Sequence, residues 1–209
     1  MSGERYVRCM SLLSAWDLDG TIRPGSLLGD AIAYGIQNGF IDPARYTDPS
    51  RPTYEDADTF IEHITGRHRH DFAGLMQQLG EEAREQTSPW ALERLEAQAR
   101  EGMVVVLSHS PDFLVKAFCY GLGIRTASGS YFHTRNYIFS GRTALLDKRR
   151  MLARHLREAG IDHLSFAAGD SIHDVPMLIR ARHAVVVNPD EELTKLAQQS
   201  NWEIIRTDT

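Results

Sequence analysis

The sequence predicts a three-layer α/β fold, with a mainly parallel sheet between helices and a small helical segment inserted after the first strand. Three observations carry this expectation. Four short runs are continuously apolar rather than alternating, the pattern of strands covered on both faces. Each run stops at a polar or special residue, and stretches with helical periodicity lie between them. The first connection spans residues 24–100, several times the dozen or so residues a β-α-β crossover needs.

The elements follow in order. The first strand, 11–16, stops at Asp17. Residues 27–36, 57–64, 72–79 and 91–99 have helical periodicity and no buried-strand run among them, and Pro43, Pro49 and Pro52 break the chain after the first. A second strand, 103–107, ends at Ser108, and Pro111 suits the first turn of a helix over 111–120. Residues 128–139 read as a β-hairpin in which Tyr131, Phe132, Tyr137 and Phe139 flank a turn at Arg135-Asn136. A helix over 149–159 sets Met151, Leu152, His155 and Leu156 on one side and ends before Gly160. The third strand, 164–168, runs into Gly169-Asp170. The fourth, 184–187, runs into Asn188-Pro189-Asp190, with Asp190 capping a helix over 191–199. A short strand, 202–205, closes an edge. The expected division is a core domain of residues 1–23 and 101–209 and an inserted helical domain of residues 24–100.

Bulk properties exclude several roles. At 209 residues the chain holds one substantial core plus a small second lobe. A net charge of −5 with only short basic clusters argues against nucleic-acid binding, which draws on concentrated Lys and Arg. Cys9 and Cys119 lack any metal-ligand spacing and read as free thiols in a reducing compartment. The apolar stretch that follows Glu4, Arg5 and Arg8 is short and ends in Asp17, so it is neither a signal peptide nor a span. The expectation is a cytoplasmic protein with no membrane partner, its oligomeric state open.

The chemistry lies at the strand ends. Trp16-Asp17-Leu18-Asp19-Gly20-Thr21 places two carboxylates where a buried strand runs out, and such charge is costly unless something cationic meets it. Gly169-Asp170-Ser171-Ile172-His173-Asp174 repeats the arrangement. In open parallel sheets ligands bind beyond the carboxyl ends of the strands, so these pairs point to one divalent-cation site. His63, His68 and His70 have no supporting Cys or Asp frame and read as a solvated helix end.

Four pieces recur in chain order: Asp17-Leu18-Asp19-Gly20-Thr21, Ser108, Lys148, and Gly169-Asp170-Ser171-Ile172-His173-Asp174. With them the sequence resembles the haloacid dehalogenase superfamily over nearly the whole core. It is closest to the helical-cap branch that includes phosphoserine phosphatase. Ser108-His109-Ser110-Pro111 and Val187-Asn188-Pro189-Asp190 look like that branch too. The resemblance implies a Rossmann-like core, a helical cap and Mg²⁺-dependent hydrolysis of a small phosphorylated metabolite.

Asp17 would attack phosphorus and become an aspartyl phosphate, and Asp19, two residues on and on the same side, would act as acid and then base. Asp17, Asp170 and the Asp19 carbonyl would hold Mg²⁺. Asp174 would bind it through water or hold Lys148 in place. Gly20 would let backbone N–H groups approach the phosphoryl oxygens. The Ser108 hydroxyl and His109 N–H would donate to the phosphoryl group, and Lys148, with Arg149 and Arg150 as neighbouring candidates, would neutralise it. Arg23, Ser26 and His173 would line the substrate pocket.

The amino-acid phosphatase branch usually carries glutamate where this chain has Ser26, asparagine where it has His173, and Ser-Gly-Gly where it has Ser108-His109-Ser110. Phosphoserine as the substrate, 2-haloacid dehalogenation, phosphomutase chemistry and a non-catalytic binding module are the alternatives. Dehalogenation leaves Asp19, Asp170 and Asp174 unexplained.

Overall fold

The structure is a computed structural model that describes residues 12–48 and 52–207; Cys9 and Pro49 lie outside the described residues. Seven strands, β1 (Leu13–Trp16), β2 (Met103–Pro111), β3 (Thr126–Arg135), β4 (Ile138–Ala144), β5 (Leu164–Gly169), β6 (Ala181–Val187) and β7 (Glu203–Ile205), form one sheet. Their order is β4-β3-β2-β1-β5-β6-β7, and every pairing is parallel except β3 with β4. The apolar runs are buried on both sides. Val104 and Val106 of β2 enter one hydrophobic cluster with Trp16, Phe166 and Val185, whereas Val105 and Leu107 enter the other with Leu13, Ala15 and Val186.

Nine helices are described: α1 (Leu27–Gln37), α2 (Tyr54–Ile64), α3 (Ala73–Glu81), α4 (Ala83–Gln86), α5 (Pro89–Glu101), α6 (Asp112–Gly121), α7 (Lys148–Ala159), α8 (Val175–Leu178) and α9 (Glu191–Gln199). Among these described residues, no helix is long and apolar enough to cross a membrane. Leu152 and Leu156 of α7 and Leu193 and Ala197 of α9 cover one face of the sheet, and Phe113 and Phe118 of α6 lie on the other. The expected caps are present. Asp190 accepts from Leu193 N at 2.8 Å, and Gly160 ends α7 in the left-handed region at φ 68°.

Boundaries moved where local chemistry outweighed apolar periodicity. α2 starts at Tyr54 because Thr53 and Asp56 form a reciprocal capping box. β2 continues through Ser108-His109-Ser110 to Pro111, so α6 begins one residue beyond the expected proline. The hairpin turn sits on Asn136 and Tyr137, both at positive φ (52° and 66°), with Arg135 paired to Ile138. Two consecutive positive φ angles match the right-handed twist of a two-residue hairpin, which shifts the turn by one residue. β3 also pairs with β2, so the hairpin extends the main sheet.

Helices α1 to α5 fill the long connection between β1 and β2. Ile32, Phe60, Ile64, Phe72 and Leu79 of that insertion belong to the same cluster as Trp16, Val106, Phe113 and Phe118. A helical segment of this size buries little surface by itself, and here it shares the core of the sheet instead of building its own. Backbone bonds reinforce the join: Gly66 N–H donates to Phe139 O at 2.9 Å, Phe139 N–H to Arg67 O at 2.9 Å, and Arg69 N–H to Tyr137 O at 2.7 Å.

Phe72 is fully buried at this junction, with ring centroids 6.0 Å from Phe60, 5.6 Å from Phe113 and 6.0 Å from Phe139. Phe72→Ala is expected to destabilise the protein by about 3–5 kcal/mol in urea unfolding, the range for truncating a packed aromatic. A loss below about 1 kcal/mol would mean that the insertion is not tied to the sheet through this ring.

Candidate active site

The chain order of the sheet reverses between β1 and β5, and the two aspartate motifs leave the sheet on either side of that point. Such a switch point opens a crevice beyond the strand ends. Asp17 N–H donates to Ala168 O at 2.9 Å, carrying the β1–β5 ladder one residue past the strand. This fixes the Asp17 carboxylate beside the β5 loop.

Lys148, the first residue of α7, reaches into the crevice. Its Nζ donates to Asp17 Oδ1 at 2.5 Å and to Asp174 Oδ1 at 2.6 Å. Lys148 is 5% exposed, Asp17 4% and Asp174 0%, whereas Arg149 and Arg150 are exposed. Burial alone would lower the lysine's pKa, but Asp17 and Asp174 outweigh it and raise the pKa, so the ammonium stays charged. Asp174 is fully engaged: its Oδ2 accepts from Asp170 N (3.2 Å), Ser171 N (3.1 Å) and Ser171 Oγ (3.0 Å). It therefore holds Lys148 in place.

Asp17, Asp170 and Asp174 each offer a carboxylate oxygen, and these atoms all lie within 4.8 Å of one another. Burial pushes the pKa of Asp17 well above the ordinary carboxylate range, helped by Asp174, Asp170 and Asp19 and opposed by Lys148. Asp170 is pushed up to about 7 by burial and by Asp174. Asp17 and Asp174 share the Lys148 ammonium with Asp170 alongside, and buried Asp17 Oδ2 has no hydrogen-bond partner among the described residues. An all-oxygen donor set with surplus negative charge fits a hard divalent cation, so these residues can hold a metal.

Two glycines make the approach possible. At Gly20, φ is +78° and a Cβ would stand 2.1 Å from Asp170 Oδ2; at Gly169, a Cβ would stand 2.3 Å from Asp174 Cβ. Gly20's own N–H donates to Arg23 O at 2.8 Å, and its missing side chain leaves room for the Asp170 carboxylate.

Asp19 is held from two directions. Leu27 N–H, in the first turn of α1, donates to its Oδ1 at 2.8 Å, and Ser108 Oγ donates to its Oδ2 at 2.8 Å. Ser108 is fully buried and also accepts from Ser110 N at 2.9 Å. Its hydroxyl thus helps to hold Asp19 in place. The pairing of β2 with β3 shifts register between Leu107 and Pro111, and this irregularity re-aims His109 and Ser110 toward the crevice.

A cavity of about 400 Å³ is lined by Asp17, Asp19, Lys148, Asp170, Ser26, His109 and His173. Of the sequence-predicted residues, Gly20, Ser108 and Asp174 stand behind this lining, against Asp170, Asp19 and Lys148, and Arg23 is not part of it. Its guanidinium pairs with Asp30 at 2.5 Å, lies 5.5 Å from the Phe118 ring centroid, and borders a different cavity. Ser110, within the Ser108-His109-Ser110-Pro111 stretch, also lines the cavity, as do Leu28, Thr53, Ala57 and Leu145, which carry no motif in the sequence. Adjacency to Ser26 and Lys148 hints at Leu28 and Leu145, and nothing in the sequence hints at Thr53 or Ala57. The His109 and His173 rings meet edge to face at 5.3 Å, and burial, with Lys148 and His173, lowers the His109 pKa. His63 and His68 serve backbone instead: His63 Nε2 accepts from Asp42 N (3.2 Å) and His68 Nδ1 from His70 N (3.0 Å).

Gly20→Ala forces a methyl into the Asp170 carboxylate. Metal affinity, read by calorimetric titration, is expected to fall by about 10–100-fold, as for loss of other groups that orient metal ligands. Unchanged affinity would remove Asp170 from the cation site.

Comparison with known proteins places this geometry. A histidinol-phosphatase from Neisseria meningitidis serogroup C is 26% identical over 221 residues, covering 94% of this chain and 99% of that protein. A protein of unknown function from Bordetella pertussis Tohama I superposes with a TM-score of 0.76 at 17% identity, over 92% of this chain and 97% of that one. A phospho-aspartyl intermediate analogue of phosphoserine phosphatase superposes with a TM-score of 0.63 at 16% identity, over 95% and 93% of the two chains. Residues 15–178, which contain all four motifs, match the family described as haloacid dehalogenase-like hydrolase, and the chain belongs to that family of enzymes.

Proposed function

We propose that this enzyme is a Mg²⁺-dependent phosphatase that hydrolyses a small phosphomonoester through an aspartyl-phosphate intermediate. The observation that carries the reading is the buried Lys148 ammonium shared by Asp17 and Asp174, with Asp170 alongside and one Asp17 oxygen left unpartnered. The relatives named histidinol-phosphatase and phosphoserine phosphatase support the reaction class.

Asp17 is the nucleophile: a carboxylate oxygen forms a bond to phosphorus as the bond to the leaving oxygen breaks. Lys148 favours the ionised form of Asp17, opposing the effect of burial, and contributes positive charge beside the phosphoryl group. Asp19 gives its proton to the leaving alkoxide, then takes one from the water that attacks the aspartyl phosphate, returning free Asp17 and inorganic phosphate. Leu27 N–H and the Ser108 hydroxyl hold Asp19 in position for both transfers. Asp17, Asp170 and the Asp19 carbonyl would hold Mg²⁺, which when bound screens the charge of the phosphate dianion so that a carboxylate can approach. The helical insertion supplies the wall at Ser26, Leu28 and Ala57 and so contacts the leaving group.

Asp17→Asn is expected to reduce turnover of p-nitrophenyl phosphate by at least about a thousandfold, with far-UV circular dichroism unchanged. Turnover within tenfold of wild type would remove Asp17 from the nucleophile's role. Wild-type turnover should stop with EDTA and return with Mg²⁺; activity that survives EDTA would overturn the metal requirement.

Proton linkage gives a further expectation. The folded pKa of Asp170, about 7, lies above its unfolded value. Protonation therefore favours the metal-free fold: this contribution is complete below the unfolded pKa and is lost as pH rises through about 7. Mg²⁺ must displace the same proton, so its apparent affinity should fall by up to about tenfold per pH unit below that point. The rise in Tm produced by Mg²⁺ should be larger at pH 8 than at pH 6. An equal rise at both would show that no raised carboxylate is titrated by the ion.

A further inference from the structure

The phosphatase reading leaves open which alcohol departs, and the charge around the cavity narrows it. Asp17, Asp19 and Asp170 line the cavity together with Lys148, whose ammonium is directed to Asp17 and Asp174 at 2.5 and 2.6 Å. Positive charge in this crevice is thus already matched by carboxylates before any substrate arrives. The phosphate dianion would draw on whatever a bound cation adds.

Elsewhere the described wall carries no acidic side chain and no further Lys or Arg. Leu28, Pro52 and Ala57 are contributed by the insertion, and Leu145, 64% exposed, by the loop before α7. Ser26, Thr53, Ser110 and Ser171 add hydroxyls, and His109 and His173 add imidazole edges instead of a fixed charge. Among the described residues, no Lys or Arg other than Lys148 lines this cavity. Arg23, three residues before Ser26, is 8% exposed, is tied to Asp30 and borders a different cavity.

A carboxylate on the leaving alcohol would lose water against Leu28 and Leu145 with no Lys or Arg among the described lining residues beyond the committed Lys148 to pair it, and would add to the negative charge of Asp17 and Asp170. A neutral or ammonium-bearing alcohol meets neither penalty. We infer that this site selects phosphomonoesters whose alcohol carries no anionic group, an inference that rests on the phosphatase reading of the same cavity.

Matched pairs that differ in one substituent test it. Ethanolamine phosphate and phosphoserine differ by a carboxylate, as glycerol 3-phosphate and 3-phosphoglycerate differ by its exchange for a hydroxymethyl group. Calorimetric titration of the Asp19→Asn protein with Mg²⁺ reads binding whether or not hydrolysis follows, so failure of the phosphatase reading in the activity assay leaves this comparison intact. In each pair the carboxylate member is expected to bind at least about tenfold more weakly, the discrimination a site makes against a group it leaves unpaired. Leu145→Arg, placed in the same protein, should narrow the gap to about threefold or less by supplying the missing counter-charge. Equal or tighter binding of the carboxylate members, a gap that Leu145→Arg leaves untouched, or no detectable binding of any of the four compounds would each overturn the inference.

Discussion

The ammonium of Lys148 is what allows Asp17 and Asp174 to be buried side by side. Two carboxylates in a dry site repel each other and lose their hydration, and only a paired, hydrogen-bonded charge makes that tolerable. Lys148 is contributed by α7, Asp17 by the end of β1 and Asp174 by the loop after β5, so the ion pair ties three elements together at the point where the sheet reverses. The surrounding features follow from keeping those oxygens close. Gly20 and Gly169 lack the Cβ atoms that would collide with Asp170 and Asp174, and two backbone N–H groups and a hydroxyl occupy the far side of Asp174.

The two aspartates of the first motif sit two residues apart in different surroundings, which suits them to different tasks. Asp17 is 4% exposed, is bonded by Lys148 on one oxygen, and has no protein donor on the other. Asp19 borders the cavity, with a main-chain N–H from the insertion on one oxygen and a buried hydroxyl from β2 on the other. The first arrangement favours attack on phosphorus once charge is screened. The second suits the proposed acid–base role, in which a carboxyl group gives and regains a proton without changing place. Because Leu27 N–H comes from α1, the inserted helices position Asp19 as well as lining the pocket.

Much of this was legible in the sequence because burial leaves a periodic trace. Unbroken apolar runs such as Val104-Val105-Val106-Leu107 announced strands covered on both faces, and the carboxylates at their ends announced a polar site. Partnership leaves no such trace. Ser108 meets Asp19 across 89 positions of chain and Lys148 meets Asp17 across 131, and composition alone does not say which donor takes which acceptor. Arg23 looked available because only the fold brings Asp30 and Phe118 to it. Gly20 read as a glycine that permits a close approach, but only the fold shows that Asp170, 150 residues away in the sequence, stands against it. The shared core of insertion and sheet was hidden for a related reason: helical periodicity gives the apolar face of α2 or α3 but not what covers it.

The departures from local preference are concentrated at one place. A lysine opens α7, where the positive end of the helix dipole disfavours cations by about 0.3–1 kcal/mol. Gly20 takes a left-handed conformation against a carboxylate, and β1 runs into the buried Asp17 and β5 into the half-buried Asp170. Proteins violate local rules chiefly where function requires it and compensate elsewhere, and here the compensation is the apolar layer from Trp16 to Phe72 that fixes both sides of the crevice. The frame so fixed carries more negative than positive charge, and its raised carboxylate pKa values are the expression of that surplus. Protons and a divalent cation therefore compete for the same oxygens, and because either relieves the same repulsion, metal loading and the stability of this corner of the fold are two readings of one equilibrium.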